Sequence, residues 1–145
     1  MDTGLLHLHN LLRWVILITL LLSIYKLVSK QDALKTSKIL LISSHTTLLL
    51  GLYQYITGSV GLQLIKTMGM GAAMKDATSR FWAIEHAFSM ILAIAFITIG
   101  HIKYKKSGKS NPTLVFFVLA LVLILLMVPW PFKAGVGRPL FPGMS

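Results

Sequence analysis

Four apolar runs separated by short polar stretches set the pattern of this chain, from about Leu5 to Val28, Ile39 to Thr57, Phe81 to Ile102 and Pro112 to Val128. Each is roughly 17 to 24 residues long, enough for an α-helix to cross a ~30 Å hydrocarbon core. The pattern predicts an all-α fold: a single-domain integral membrane four-helix bundle covering 1–145, running up-down-up-down. Helix punctuation agrees. Asp76, Thr78 or Ser79 is placed to cap the third span, and Asn111-Pro112 reads as an N-cap followed by a first-turn proline. Pro129 and Pro131 stop the fourth span around Trp130, a residue suited to the headgroup zone. Between spans two and three, the connector from Gly58 to Ser79 carries Leu62, Leu64 and Ile65 beside Lys66, the pattern of a short interfacial helix.

Composition supports a membrane reading. Of 145 residues, 55% are hydrophobic and only 12% charged, with mean hydropathy +0.76. Lys and Arg number 14 against 4 acidic residues, a formal +10. The basic residues cluster at the ends of the apolar runs, so they point to anionic lipid and topology, and no nucleic acid is expected. Lys26, Lys30, Lys35 and Lys38 flank the first link, and Lys103, Lys105, Lys106 and Lys109 flank the third. Both links are therefore expected in the cytoplasm, with both termini on the outer (periplasmic) side of a cell inner (cytoplasmic) membrane. Lys66, Lys75, Arg80, Lys133 and Arg138 are spread more thinly over the other side. Asp2 is the only charge before the first span and no short-residue cleavage site follows it, so that span is expected to stay in the mature protein. The absence of cysteine excludes disulfides, iron–sulfur clusters and thioether-linked haem.

The chemistry must then come from polar residues inside the apolar runs. Arg13 lies in the first and Glu85 in the third, each costing a few kcal/mol or more if left alone in hydrocarbon. Counted from the same surface, both sit about 8 Å outward of their span centres. An interhelical Arg13–Glu85 ion pair is expected, either as a register device or as part of a site that tunes a cofactor or moves a proton. His9 precedes Arg13 by one helical turn, His86 adjoins Glu85, and His45 lies near the middle of span two. A lone membrane histidine is often a hydrogen-bonded packing residue, but three on separate helices suggest a b-type haem held by imidazoles from facing helices. His45 with His86 is the favoured ligand pair and His9 with His86 the alternative. Arg80 is positioned for a propionate or a lipid phosphate. On span three, His86, Ser89, Ala93 and Gly100 form a stripe with small members, open to a haem face or another helix. His101, about 22 Å of rise from His86, lacks an obvious partner for a second haem. His7-x-His9 with Met68, Met70 and Met74 is a weaker soft-metal candidate, for copper. There is no phosphate loop, no HExxH and no carboxylate pair spaced for hydrolysis, so no catalytic residues are expected.

The set His7-Leu8-His9 with Arg13-Trp14, His45 followed by Leu48-Leu49-Leu50-Gly51, Ala72-Ala73-Met74-Lys75-Asp76, Arg80-Phe81 with Glu85-His86, and Pro129-Trp130-Pro131-Phe132 resembles the small four-span cytochrome b-like membrane proteins of Bacteroidetes. The resemblance implies haem contact at His9, His45 and His86. It departs from a diheme bundle, which needs two histidines on each of two helices. The function expected is that of a haem b protein passing electrons in a respiratory chain, with quinone as a candidate associated carrier. The alternative is a cofactor-free accessory or assembly subunit, or a pathway for protons or small solutes. Partners expected are the lipid bilayer, a larger respiratory or membrane complex, and further copies of the chain as a homo-oligomer.

Overall fold

The computed structural model describes residues 3–133 and 136–137, and all regular structure among them is helical. Helix α1 is Thr3–Val28, α2 Leu34–Thr57, α3 Leu62–Met68, α4 Met70–Lys75, α5 Ala77–Arg80, α6 His86–Ser107 and α7 Ser110–Met127. A π-helical segment, Phe81–Glu85, joins α5 to α6 without a break. Four helical stretches, Gly4–Val28, Leu34–Met68, Ala77–Ser107 and Ser110–Met127, are long and apolar enough to cross a membrane. Asp2 and Arg138, on which parts of the charge pattern rest, lie outside the described residues.

Helices outrun the apolar runs at the lysine-rich end. α2 starts at Leu34 and α6 continues to Ser107, so Lys35, Lys38, Lys103, Lys105 and Lys106 sit on helical turns. Hydropathy marks the lipid-crossing part, whereas helical hydrogen bonding continues wherever no residue breaks it. Gly108 makes the break after α6. Its φ of 68° suits a residue without Cβ, and its N–H donates to the Tyr104 carbonyl at 2.8 Å. Asn111 does not cap α7. The helix begins two residues earlier, at Ser110 after Lys109, because Pro112 is tolerated within the first turn, where backbone N–H groups need no intrahelical acceptor. Of the three candidates before span three, Asp76 is the cap: its carboxylate accepts from the Ser79 amide at 3.0 Å and the Ser79 hydroxyl at 2.6 Å. The connector is broken at Gly69, φ 83°, into α3 and α4, with Leu62, Leu64 and Ile65 half-buried on α3.

The long helices pack in a ring: α1 on α2, α2 on α6, α6 on α7, and α7 back on α1. Side-chain pairs fix the registers. At one end of the α2–α6 contact Ser37 meets His101 (2.8 Å), and at the other the Tyr55 hydroxyl donates to the Ala83 carbonyl (2.7 Å), so the two helices run antiparallel. Between α6 and α7 the Thr113 hydroxyl donates to the Gly100 carbonyl (2.9 Å). Leu20, Leu27, Leu40, Ile97 and Phe117 fill the axis, while Ile18, Leu49, Phe88 and Val115 are exposed. Apolar side chains both inside and outside suit lipid, where close packing and interhelical hydrogen bonds, rather than burial of apolar surface, drive helix association. The small-residue stripe on α6 serves a helix at Gly100: a Cβ there would lie 2.9 Å from the Phe117 ring.

Candidate functional site

Polar side chains gather at the bundle end opposite the lysine-rich links. α1 contributes His9 and Arg13, α2 Gly51 and Gln54, the start of α6 His86, and the end of α7 the Met127 carbonyl with Trp130 beyond it. His86 Nδ1 lies 2.8 Å from the Met127 carbonyl oxygen. A carbonyl can only accept, so in the neutral imidazole the proton is on Nδ1 and Nε2 keeps its lone pair. The ring is flanked by Phe81 and Trp82, with centroids at 5.6 and 5.7 Å. His9, His86 and Arg13 lie within electrostatic reach of one another. Gly51 faces His9: a Cβ there would stand 3.7 Å from His9 Nε2, so the absent side chain leaves room for the ring. Gln54 Nε2, about one turn along α2, is a buried donor with no hydrogen-bond acceptor among the described residues.

The expected Arg13–Glu85 pair does not form. Glu85 Oε2 is bound by Arg80 Nε at 3.0 Å, and Arg80 also donates through Nη1 to the Met74 carbonyl at 3.0 Å. The cause is the π-helical segment. In an α-helix, residues five apart point about 140° away from each other, whereas i→i+5 bonding stacks them. Depth counting gave Arg13 and Glu85 similar heights but not their directions around the helix axes. The Arg13 guanidinium lies over the indoles of Trp14 (5.4 Å) and Trp130 (5.6 Å), which meet edge to face at 6.2 Å.

His45 does not join His86. Its Nε2 is 3.0 Å from the Thr98 hydroxyl, which itself donates to the Ile94 carbonyl and so accepts from the imidazole. Thr98 is about 18 Å of helical rise from His86, and His45 lies on the outer face of the bundle. The favoured ligand pair is thereby separated, and His9 with His86 is the pair whose members share a level. His101 is buried against Ser37 at the far end. Among the described residues no three His, Asp or Glu side chains converge. Met68, Met70 and Met74 are exposed on the connector, with Met68 Sδ accepting from the Ser79 hydroxyl at 3.4 Å.

The donor chemistry near His86 fits an iron porphyrin. Metal-bound histidines commonly anchor the second ring nitrogen on a carbonyl, which fixes the tautomer and leaves the other nitrogen for the metal. A haem held there would find a second imidazole in His9 on α1 and a cation for a propionate in Arg13. Arg80, tied to Glu85 and Met74 at the rim, is not part of this group. Gln54, Gly51 and the Met127 carbonyl were not singled out in the sequence as site residues. A glutamine within an apolar run was a visible signal, but a backbone carbonyl leaves none. Comparison with protein-family models, curated proteins and solved structures finds no match for this chain.

Proposed function

We propose that this chain is a small electron-transfer protein of the cell inner membrane that holds one haem b between His86 and His9. The observation that carries the reading is the His86 Nδ1 contact with the Met127 carbonyl, which leaves Nε2 available on the side chain beside which His9 brings a second half-buried imidazole. Haem b bound there would supply reversible one-electron exchange, with a membrane quinone as the class of partner. The protein's own part is to hold the His86 tautomer through Met127, to leave room at Gly51 for the His9 ring, and to set the positive charge of Arg13 beside the site. In the membrane the bundle runs up-down-up-down, with the lysine-rich links in the cytoplasm and both termini outside. The His9–His86 cluster then lies in the outer half.

A second reading is favoured by the hydrogen bonds that already engage His45, His86 and His101 within the bundle. In it the polar residues fix helix register, and the bundle serves as a cofactor-free subunit of a larger complex or as a path for protons or small solutes. A reduced-minus-oxidised visible spectrum of the purified protein separates the two. A b-type α-band that is lost in both His86→Ala and His9→Ala and kept in His45→Ala supports the haem site. No band in the native protein removes it and leaves the cofactor-free bundle.

A further inference from the structure

A cavity of about 370 Å³ opens on the outside of the bundle where α5, the π-helical segment and the end of α7 meet. Its wall carries Arg80, Glu85, Lys133 and Thr78, with Phe81 and Leu126 as the main apolar members. The recess adjoins the His86 side of the polar cluster, since Phe81 and Met127 border both and Lys133 is within electrostatic reach of His86, but its polar lining is Thr78, Arg80, Glu85 and Lys133. The charges do not balance. Glu85 is bound to Arg80 through Oε2, leaving Oε1 without a hydrogen bond among the described residues. Lys133 Nζ lies over the Phe81 ring at 5.5 Å and donates to the Leu126 carbonyl, and no carboxylate among the described residues is within ion-pair distance of it. Burial holds the Lys133 ammonium below its ordinary pKa, as befits a partly desolvated cation without a counter-ion. Two cations therefore face one already shared carboxylate in a recess roomy enough for a small headgroup.

The recess also has an apolar exit. Leu126 at its edge is exposed, and below it Val122, Leu119 and Val115 are exposed at helical spacing along α7. That stripe runs from the charged recess towards the centre of the bilayer, a continuity that a soluble anion would not use but an acyl chain would.

We infer that this recess binds the headgroup of a phospholipid carrying both a phosphate and a primary ammonium, with the phosphate on Lys133 and Arg80, the ammonium on Glu85, and an acyl chain along the Leu126–Val115 stripe. An ethanolamine headgroup meets these demands. A glycerol headgroup offers Glu85 Oε1 only neutral hydroxyl donors, and a trimethylammonium has no N–H to give it.

Native mass spectrometry of the detergent-solubilised full chain, with equimolar phosphatidylethanolamine, phosphatidylcholine and phosphatidylglycerol, tests the assignment. The ethanolamine lipid should be retained about threefold or more over each of the others. Lys133→Gln should lower its retention about tenfold, and Lys133→Arg should restore most of it. Glu85→Gln should abolish the preference over phosphatidylglycerol while phosphate-dependent retention persists. Equal retention of the three lipids by the native protein overturns the inference without recourse to any variant. So does unchanged retention in a folded Lys133→Gln protein. Glycerophosphoethanolamine, which has the headgroup and no acyl chain, should compete poorly; competition at the same concentration as the whole lipid would assign the recess to a soluble phosphate ester and overturn the lipid reading.

Discussion

Arg80 and Glu85 are joined at 3.0 Å across a π-helical segment, a pairing that an α-helix of the same sequence would forbid. Both side chains are more than a third exposed, so the pair is a rim contact rather than a buried charge system. A double-mutant cycle between Arg80→Gln and Glu85→Gln should give a coupling of about 1 kcal/mol or less by thermal or denaturant unfolding in detergent. The corresponding cycle between Arg13 and Glu85 should give a coupling near zero, and exchanging those two charges should rescue nothing. Substantial Arg13–Glu85 coupling would contradict the geometry.

Deleting Ile84 should convert the π-helical segment to an α-helix, since it removes the one extra residue that i→i+5 bonding accommodates. Arg80 and Glu85 would then stand four residues apart on one α-helical face, so cross-linking between cysteines placed at 80 and 85 should persist in the deletion background, and its loss there would contradict this.

His101→Ala should destabilise the fold without altering any haem spectrum. The imidazole is 5% exposed and bonded to Ser37 at 2.8 Å, so its loss leaves a cavity and removes one of the two hydrogen bonds of the Ser37 hydroxyl, the other being donated to the Leu34 carbonyl, a cost of about 1 to 3 kcal/mol. The sequence showed no obvious partner for His101, and Ser37 is the one that the fold provides. A lowered unfolding midpoint with an unchanged spectrum is the expected result.

Two glycines should differ in their tolerance of alanine. At Gly100 the new Cβ would meet Phe117 at 2.9 Å and the Phe116 Cβ at 3.2 Å, overpacking the α6–α7 contact by about 1 to 3 kcal/mol. At Gly51 it would make only an ordinary 3.7 Å contact with His9, so Gly51→Ala should be near neutral, whereas Gly51→Leu should displace the His9 ring. Unfolding midpoints of the three variants read both effects.

The Asp76 cap should fail in acid. Hydrogen bonds from Ser79 hold the Asp76 carboxyl below its ordinary value of 3.8, so its contribution is present above that pH and is lost as pH falls through the lower, folded value. Amide exchange at Ser79 should accelerate, relative to Asp76→Asn, only in that acid window. A pH-independent ratio between the two proteins would contradict this.

The sequence by itself determined that four helices would form, and roughly where. An apolar run of bilayer length has one good solution, because every backbone N–H and C=O must be satisfied within the segment. It also marked the polar end of the bundle, since Arg13, Glu85, His9 and His86 are each expensive in hydrocarbon wherever they face. What it could not supply was direction around each helix axis. Rise is additive along a chain, so counting gave Arg13 and Glu85 similar depths, but rotation depends on the turn actually adopted. A single stretch of π-helix turned Glu85 to Arg80 and away from Arg13, and the antiparallel register of α2 on α6 set His45 beside Thr98 rather than His86. The acceptor for His86, a main-chain carbonyl of Met127, carries no side-chain signature at all. Only the packing of α6 against α7 brings it there.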